Sequence, residues 1–367
     1  MMMIVGWFVV IALLSHLLFF RLAGPIGLLD TPNERKSHVG QIPVVGGLAI
    51  VCSTLIAFFI FDISLPISEN VIILAGVLFV FGVIDDRQGL SPKFRFIAQI
   101  IIAIASVFFG DLHLYFFGDI FGIGDFYLGF WGEILTVLAV VTAINAFNMI
   151  DGIDGLLAGL LLMLFVTLCF VDVQYSVFYW LFVANIMVFG CFNLGLFSTH
   201  KTKRKMFMGD SGSMLFGYLV VAILMSKSQH PGIEIRPVTV LWLICVPLMD
   251  VVAIVIRRSL KGQPLMKADR EHLHHIFMRM GFSDRRALVF ILFIAACFGA
   301  FGLMSESLQV SENHSFLLFL FIFACYLYFI LHAWRFVRTY NWLRGKKQGK
   351  RRSNKNTKKK GKMQDAG

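Results

Sequence analysis

The sequence predicts an all-α integral membrane protein of about eleven transmembrane helices, with the N-terminus outside and the C-terminus in the cytoplasm. Three observations predict it. Of 367 residues, 58% are hydrophobic and only 15% charged, whereas a soluble domain runs nearer a quarter charged. Apolar stretches of membrane-spanning length recur from residue 4 to about residue 335. Lys and Arg also alternate in number from one intervening loop to the next. One polytopic domain over residues 1–336 and a basic tail over 337–367 follow, and no soluble catalytic domain is left over.

The spans start near residues 4, 44, 70, 94, 132, 155, 177, 211, 238, 287 and 315. The first ends at Arg21 with no Lys or Arg before it, the wrong charge order for a cleaved signal peptide, so it reads as a retained anchor. With eleven spans, 31 of the 33 Lys and Arg fall on one side, and only Lys227 and Arg236 on the other. An even number of spans would mix these sets. The rich side is the cytoplasm, which accounts for most of the formal +11 charge without nucleic acid. The tail from about Arg344 to Lys362 is low in complexity and reads as disordered, attracted to anionic membrane lipids. No aromatic residue interleaves this basic run, so an RNA-binding arm is disfavoured. The six cysteines lie singly in apolar runs and form neither a disulfide framework nor a zinc site.

The cytoplasmic ends of the spans collect uncommon polar residues in five places. The first loop holds Asp30-Thr31-Pro32-Asn33-Glu34-Arg35-Lys36-Ser37-His38. The third span ends in Asp85-Asp86-Arg87; neighbouring helical residues do not share a face, so the two acids can serve different partners. An interfacial salt-bridge set with Arg87, Lys93 and Arg95 gives the same pattern. The fifth span exits through Asn145, Asn148, Asp151 and Asp154, where each i, i+3 pair shares a face if helical. A helix cap needs one Asn or Asp, not four. Before the eighth span, Met208-Gly209-Asp210-Ser211-Gly212-Ser213 places an acid at a helix start, which suits either a divalent cation bound to phosphate or a plain N-cap. The Gly-Asp-Ser-Gly string looks like a serine-protease nucleophile, but no base and orienting acid stand at matching spacing.

The loop after the ninth span carries Arg270, His272, His274, His275 and Arg279. Zinc would need further ligands that are not evident, so a cationic, hydrogen-bonding loop for phosphate or sugar is the more economical reading. Asp250, inside the ninth span, is either part of a polar network or a structural hydrogen bond to a neighbouring helix. Acids beside Lys, Arg and His at a membrane interface point to phosphate chemistry with a hard divalent ion, one substrate lipid-borne and one water-borne. A secondary transporter is the rival class, but it would put its site near mid-membrane between repeats, and no repeat is visible. No Walker sequence supports an ATP-driven pump.

These five motifs, in this order over about residues 28–290, resemble the polyprenyl-phosphate N-acetylhexosamine-1-phosphate transferases. The resemblance implies a multi-pass protein of the bacterial inner membrane with a periplasmic N-terminus. It implies attack by undecaprenyl phosphate on the β-phosphorus of UDP-N-acetylglucosamine, with release of UMP, as the first membrane step of O-antigen or enterobacterial common antigen synthesis. By position, Asp210 is then a ligand for Mg2+ or Mn2+, with Asn148 near the ion. Asp85, Asp86, Asp151 and Asp154 are the catalytic acids. Asp30, Lys36, His38, Lys93 or Arg95, Asn145, Asn148, Arg270, His272, His274, His275 and Arg279 bind substrate. The His-x-His-His spacing differs from the three consecutive histidines of muramoyl-pentapeptide relatives, which argues against that donor. Another UDP-N-acetylhexosamine, and association of the chain with copies of itself, stay open.

Overall fold

A computed structural model describes residues 2–31, 40–198, 204–229, 235–264 and 271–343. Lys36, His38, Arg270 and the tail from residue 344 lie outside these residues. Each of the eleven apolar windows holds a helix. In chain order they are α1 (Met2–Leu22), α2 (Gly46–Ile60), α3 (Glu69–Gln88), α4 (Pro92–Gly110), α5 (Trp131–Ile150), α6 (Leu156–Val171), α7 (Ser176–Asn193), α8 (Gly209–Gln229), the pair α9 (Pro237–Leu243) and α10 (Cys245–Leu260), then the short α11 (Leu273–Arg279), α12 (Asp284–Ser307) and α13 (Glu312–Leu331). Among the described residues seven helices are long and apolar enough to cross a membrane, and the bent pair α9 and α10 adds an eighth if counted as one span. α2 and α6 are apolar but shorter. α3 runs for 20 residues and ends in its acids.

Starts and stops follow local chemistry. Ser68 and Ser91 cap α3 and α4 through their hydroxyls, which accept from the amides of Val71 and Phe94, and Pro92 occupies the first turn of α4, where no amide donor is needed. The ninth window differs from expectation: it is not one straight helix but two that meet at 84° at Ile244. Pro247 lies in the first turn of α10, a position that suits a new helix start and not the middle of a continuous one.

α8 is buried along nearly its whole length and stands at the centre, packed by α2, α3, α5 and α9. Small residues allow the approach: a Cβ on Gly82 would sit 2.4 Å from Ser211 Cα, one on Gly47 2.7 Å from Gly212 Cα, and one on Gly217 2.7 Å from Ile144 Cα. Outer helices instead turn large apolar side chains outward, among them Phe59, Phe109, Val289 and Phe321, as expected where lipid is the solvent. A two-stranded antiparallel ribbon, β1 (Leu29–Asp30) and β2 (Ile42–Pro43), closes the first loop, and Val44 bridges in parallel to Phe207 just before α8. The ribbon thus fixes Asp30 and the approach to Asp210 at the same end of the bundle.

Candidate active site

The acids converge at one end of α3, α5 and α8. α3 stops at Gly89, whose left-handed backbone (φ 65°) lets its amide return to the Asp85 carbonyl at 2.7 Å. Asp85 and Asp86 on this last turn take different partners. Asp85 is buried; Oδ1 accepts from the Leu90 amide at 2.8 Å and Oδ2 from Arg95 Nη1 at 3.1 Å. Asp86 points the other way and accepts from the amides of Asp210 (2.7 Å) and Ser211 (3.0 Å). A carboxylate there satisfies amides that lack intrahelical partners and meets the positive end of the α8 dipole. The cap of α8 is therefore supplied by a neighbouring helix, and the Asp210 carboxylate is turned to the cavity. Its Oδ1 accepts from Asn148 Nδ2 at 2.7 Å and its Oδ2 from Arg95 Nη1 at 2.8 Å. Arg95 thus bridges Asp85 and Asp210.

The turn after α5 adds the second acidic pair. Asp151 follows the helix end, and Asp154 pairs with Lys205 Nζ at 2.7 Å. Gly155, at φ 82°, donates its amide to Asn193 Oδ1 at 2.6 Å, and Asn193 Nδ2 donates to the Met206 carbonyl at 2.9 Å. One buried side chain at the end of α7 therefore stitches the Asp151 to Asp154 turn to the segment leading into α8. Asp30, Asp85, Asp86, Arg95, Asn148, Asp151, Asp154, Asn193, Lys205, Asp210 and His275 all line one open cavity of about 860 Å³.

Asp151 keeps part of its surface towards this cavity, yet withdrawal of its carboxyl from water, then the charges of Asp210, Asp154 and Asp86, push it well above the usual carboxylate range. The His272 to His275 segment forms the start of α11. His275 lines the cavity, while His272 and His274 lie buried behind it with their rings stacked at 5.9 Å. Burial, then the neighbouring His275 and His272, push His274 down to about 3, so it is neutral at working pH. Its ring packs on Gly152, where an added Cβ would meet Nε2 at 2.2 Å.

Other expected site residues are placed elsewhere. Asn145 sits a turn deeper and donates to Gln99 Oε1 at 2.6 Å and to the Val141 carbonyl, away from the cavity. Lys93 is exposed and does not line the cavity, so of the two basic candidates it is Arg95 that does. Arg279 stacks its guanidinium on Trp334 at 5.2 Å. Asn193 and Lys205 had not been singled out. Asn193 carried the same signal as the others, a polar residue at the end of an apolar span.

Asp210 shares the cavity with the carboxylates of Asp85, Asp86 and Asp151 and with the Asn148 amide, and so oxygen-rich a set fits a hard divalent ion rather than a soft one. Among the described residues no three acids, histidines or cysteines converge at ligating distance, and the Arg95 guanidinium now sits between two of the carboxylates.

The chain matches the description glycosyl transferase family 4 over residues 69–228. It is 40% identical over 329 residues to the undecaprenyl-phosphate alpha-N-acetylglucosaminyl 1-phosphate transferase of Escherichia coli K12, covering 88% of this chain and 89% of that protein. The proteins of the same name from Salmonella typhi and Haemophilus influenzae are 40% and 38% identical, over 92% and 94% of this chain and 92% and 97% of their own lengths.

Proposed function

The chain belongs to glycosyl transferase family 4, among the polyprenyl-phosphate N-acetylhexosamine-1-phosphate transferases, and from that premise we propose that it transfers N-acetylglucosamine 1-phosphate from UDP-N-acetylglucosamine to undecaprenyl phosphate, releasing UMP. The observation that carries this reading is the single cavity in which Asp85, Asp86, Asn148, Asp151, Asp154 and Asp210 meet Arg95 and Lys205. It supports phosphate chemistry at one end of the bundle, not the mid-membrane site of a transporter.

Two phosphorylated substrates repel: unit charges about 4 Å apart at an effective dielectric near 20 interact by about 4 kcal/mol. Mg2+, or Mn2+, held by Asp210 with Asn148 beside it, supplies that neutralisation when bound. The chain's own part is to aim the groups. Lys205 and Arg95 face the cavity as cations for the diphosphate and the lipid phosphate, and both are held in place by carboxylates. A phosphate monoester has a second pKa near 6, so the acceptor is largely dianionic at neutral pH and needs little base assistance. An oxygen of the lipid phosphate forms the new bond to the β-phosphorus as the bond to the UMP oxygen breaks. Asp86 spends both oxygens on the α8 amides and Asp85 is bound to Arg95, which disfavours either as the nucleophile of a covalent aspartyl phosphate and favours direct displacement.

The acceptor's chain has a place to lie. A second cavity, about 440 Å³ and almost wholly apolar, runs along α5 through Leu138, Ala139, Thr142, Ala146 and Phe147, one residue short of Asn148, and is closed by the bent pair α9 and α10. It takes part of the isoprenoid. We place the protein in the bacterial inner membrane with eleven crossings, the N-terminus periplasmic and the acidic cavity cytoplasmic, at the first membrane step of O-antigen or enterobacterial common antigen synthesis.

The test incubates the purified protein in detergent with undecaprenyl phosphate, Mg2+ and sugar-labelled UDP-N-acetylglucosamine, beside UDP-N-acetylgalactosamine and the muramoyl-pentapeptide nucleotide. Label in the lipid phase from the first donor alone, lost with EDTA, is expected. Transfer from another donor, or none from a folded protein that binds nucleotide sugar, sinks the donor assignment.

A further inference from the structure

Asp250 lies in α10, is 2% exposed, and does not line the acidic cavity. A carboxylate buried in an apolar helix is costly unless its lone pairs are used, and here three donors use them. Oδ2 meets His272 Nδ1 at 2.8 Å; Oδ1 accepts from the Leu273 amide at 3.1 Å and from the Tyr326 hydroxyl at 2.6 Å. As a carboxylate Asp250 can only accept, so in that form Nδ1 of His272 carries the hydrogen and the contact fixes the ring's orientation.

These contacts join three elements. Leu273 is the first residue of α11, and His272, its N-cap, makes no capping bond of its own. Asp250 therefore does the capping from another helix, accepting the first α11 amide. Tyr326 brings in α13, one of the outer helices. Beyond the clamp, the rings run in series: His272 stacks on His274 at 5.9 Å, His274 meets His275 at 4.2 Å with the rings tilted by 49°, and His275 lines the cavity together with Gly152 and Asp151. His274 has no hydrogen-bond partner at either ring nitrogen and is 1% exposed, so packing alone transmits the position of His272 to His275.

We propose that Asp250, tied to Tyr326, is a positioning residue for the donor site: it fixes the His272 ring and the start of α11, and so holds His275 at the acidic cavity. The inference rests on the proposed function in one respect, that the histidine segment faces the nucleotide sugar. It does not follow from that function, because Asp250 and Tyr326 touch neither the cavity nor its acids.

The full chain in detergent tests it, with wild type, Tyr326→Phe, Asp250→Asn, His272→Ala and the double variant Asp250→Asn with His272→Ala. Wild-type transfer is measured first, so that its absence counts against the proposed function and not against this clamp. Loss of one hydrogen bond to a charged group predicts a rise in KM for the donor of about threefold to tenfold in Tyr326→Phe, and of about tenfold or more in Asp250→Asn, with KM for the lipid acceptor unchanged. In the Asp250→Asn background, His272→Ala adds less than about twofold, because the ring has already lost its anchor. Where Asp250→Asn fails to fold, Tyr326→Phe decides by its donor KM alone. The proposal is overturned if folded variants keep wild-type donor KM, if both substrates' KM values rise together, or if the two substitutions add.

Discussion

At the scale of single residues, the acids were legible because each is a polar group inside or beside an apolar run, where its presence needs a cause. What they do was not, since the sequence offers Asp210 as the cap of α8 while the structure gives that task to Asp86. The distinction separates two variants. Asp210→Asn removes a charge that faces the cavity and leaves the cap intact, so transfer should fall on the order of 100-fold or more with little change in melting temperature; Asp86→Ala should lower both, as it strips the α8 amides of their acceptor. Steady-state assays and thermal unfolding of the two proteins check this. Asp151 gives a pH prediction. Withdrawal from water and the neighbouring acids raise its carboxyl well above the usual carboxylate range, so it holds a proton more readily than an ordinary aspartate. A divalent cation near Asp210 favours the ionised form, so binding should release protons and tighten as pH rises. Calorimetric titration of Mg2+ in buffers of different ionisation enthalpy reads the proton count, and a buffer-independent heat would contradict it.

At the scale of elements, hydropathy placed a helix in every window, but apolar composition on all faces hides which side packs and whether a helix is straight. The break at Ile244 escaped for that reason, although Pro247 marked it. Small residues were equally silent: nothing in the spacing of Gly47, Gly82 and Gly217 announces that each faces α8 or α5 backbone. Asn193 was overlooked because it lies in no motif; its work, between Gly155 and Met206, is visible only once two distant turns meet. Close packing makes Gly82→Ala costly, because its Cβ would meet backbone and not a movable side chain. We expect a loss of about 1–3 kcal/mol, seen as a lower melting temperature, whereas Gly76→Ala, with open space around it on the same helix, should be neutral.

At the scale of the whole molecule, the charge count carries a topology prediction to which the cavity gives a definite place. The Lys and Arg bias predicts that the ends of α3, α5 and α8, where the acidic cavity opens, face the cytoplasm. A cysteine placed at Gly89 should react with a membrane-impermeant thiol reagent only in inverted vesicles, and one at Ile123, in the loop before α5, only in intact spheroplasts. Equal labelling of both from one side would refute the topology. The central claim, that the lipid phosphate displaces UMP at the β-phosphorus, is tested most directly by the fate of that atom. With radiolabelled phosphorus in the β position of UDP-N-acetylglucosamine, all label should enter the lipid diphosphate and none the released nucleotide; label remaining in UDP, or released as free phosphate, would contradict it.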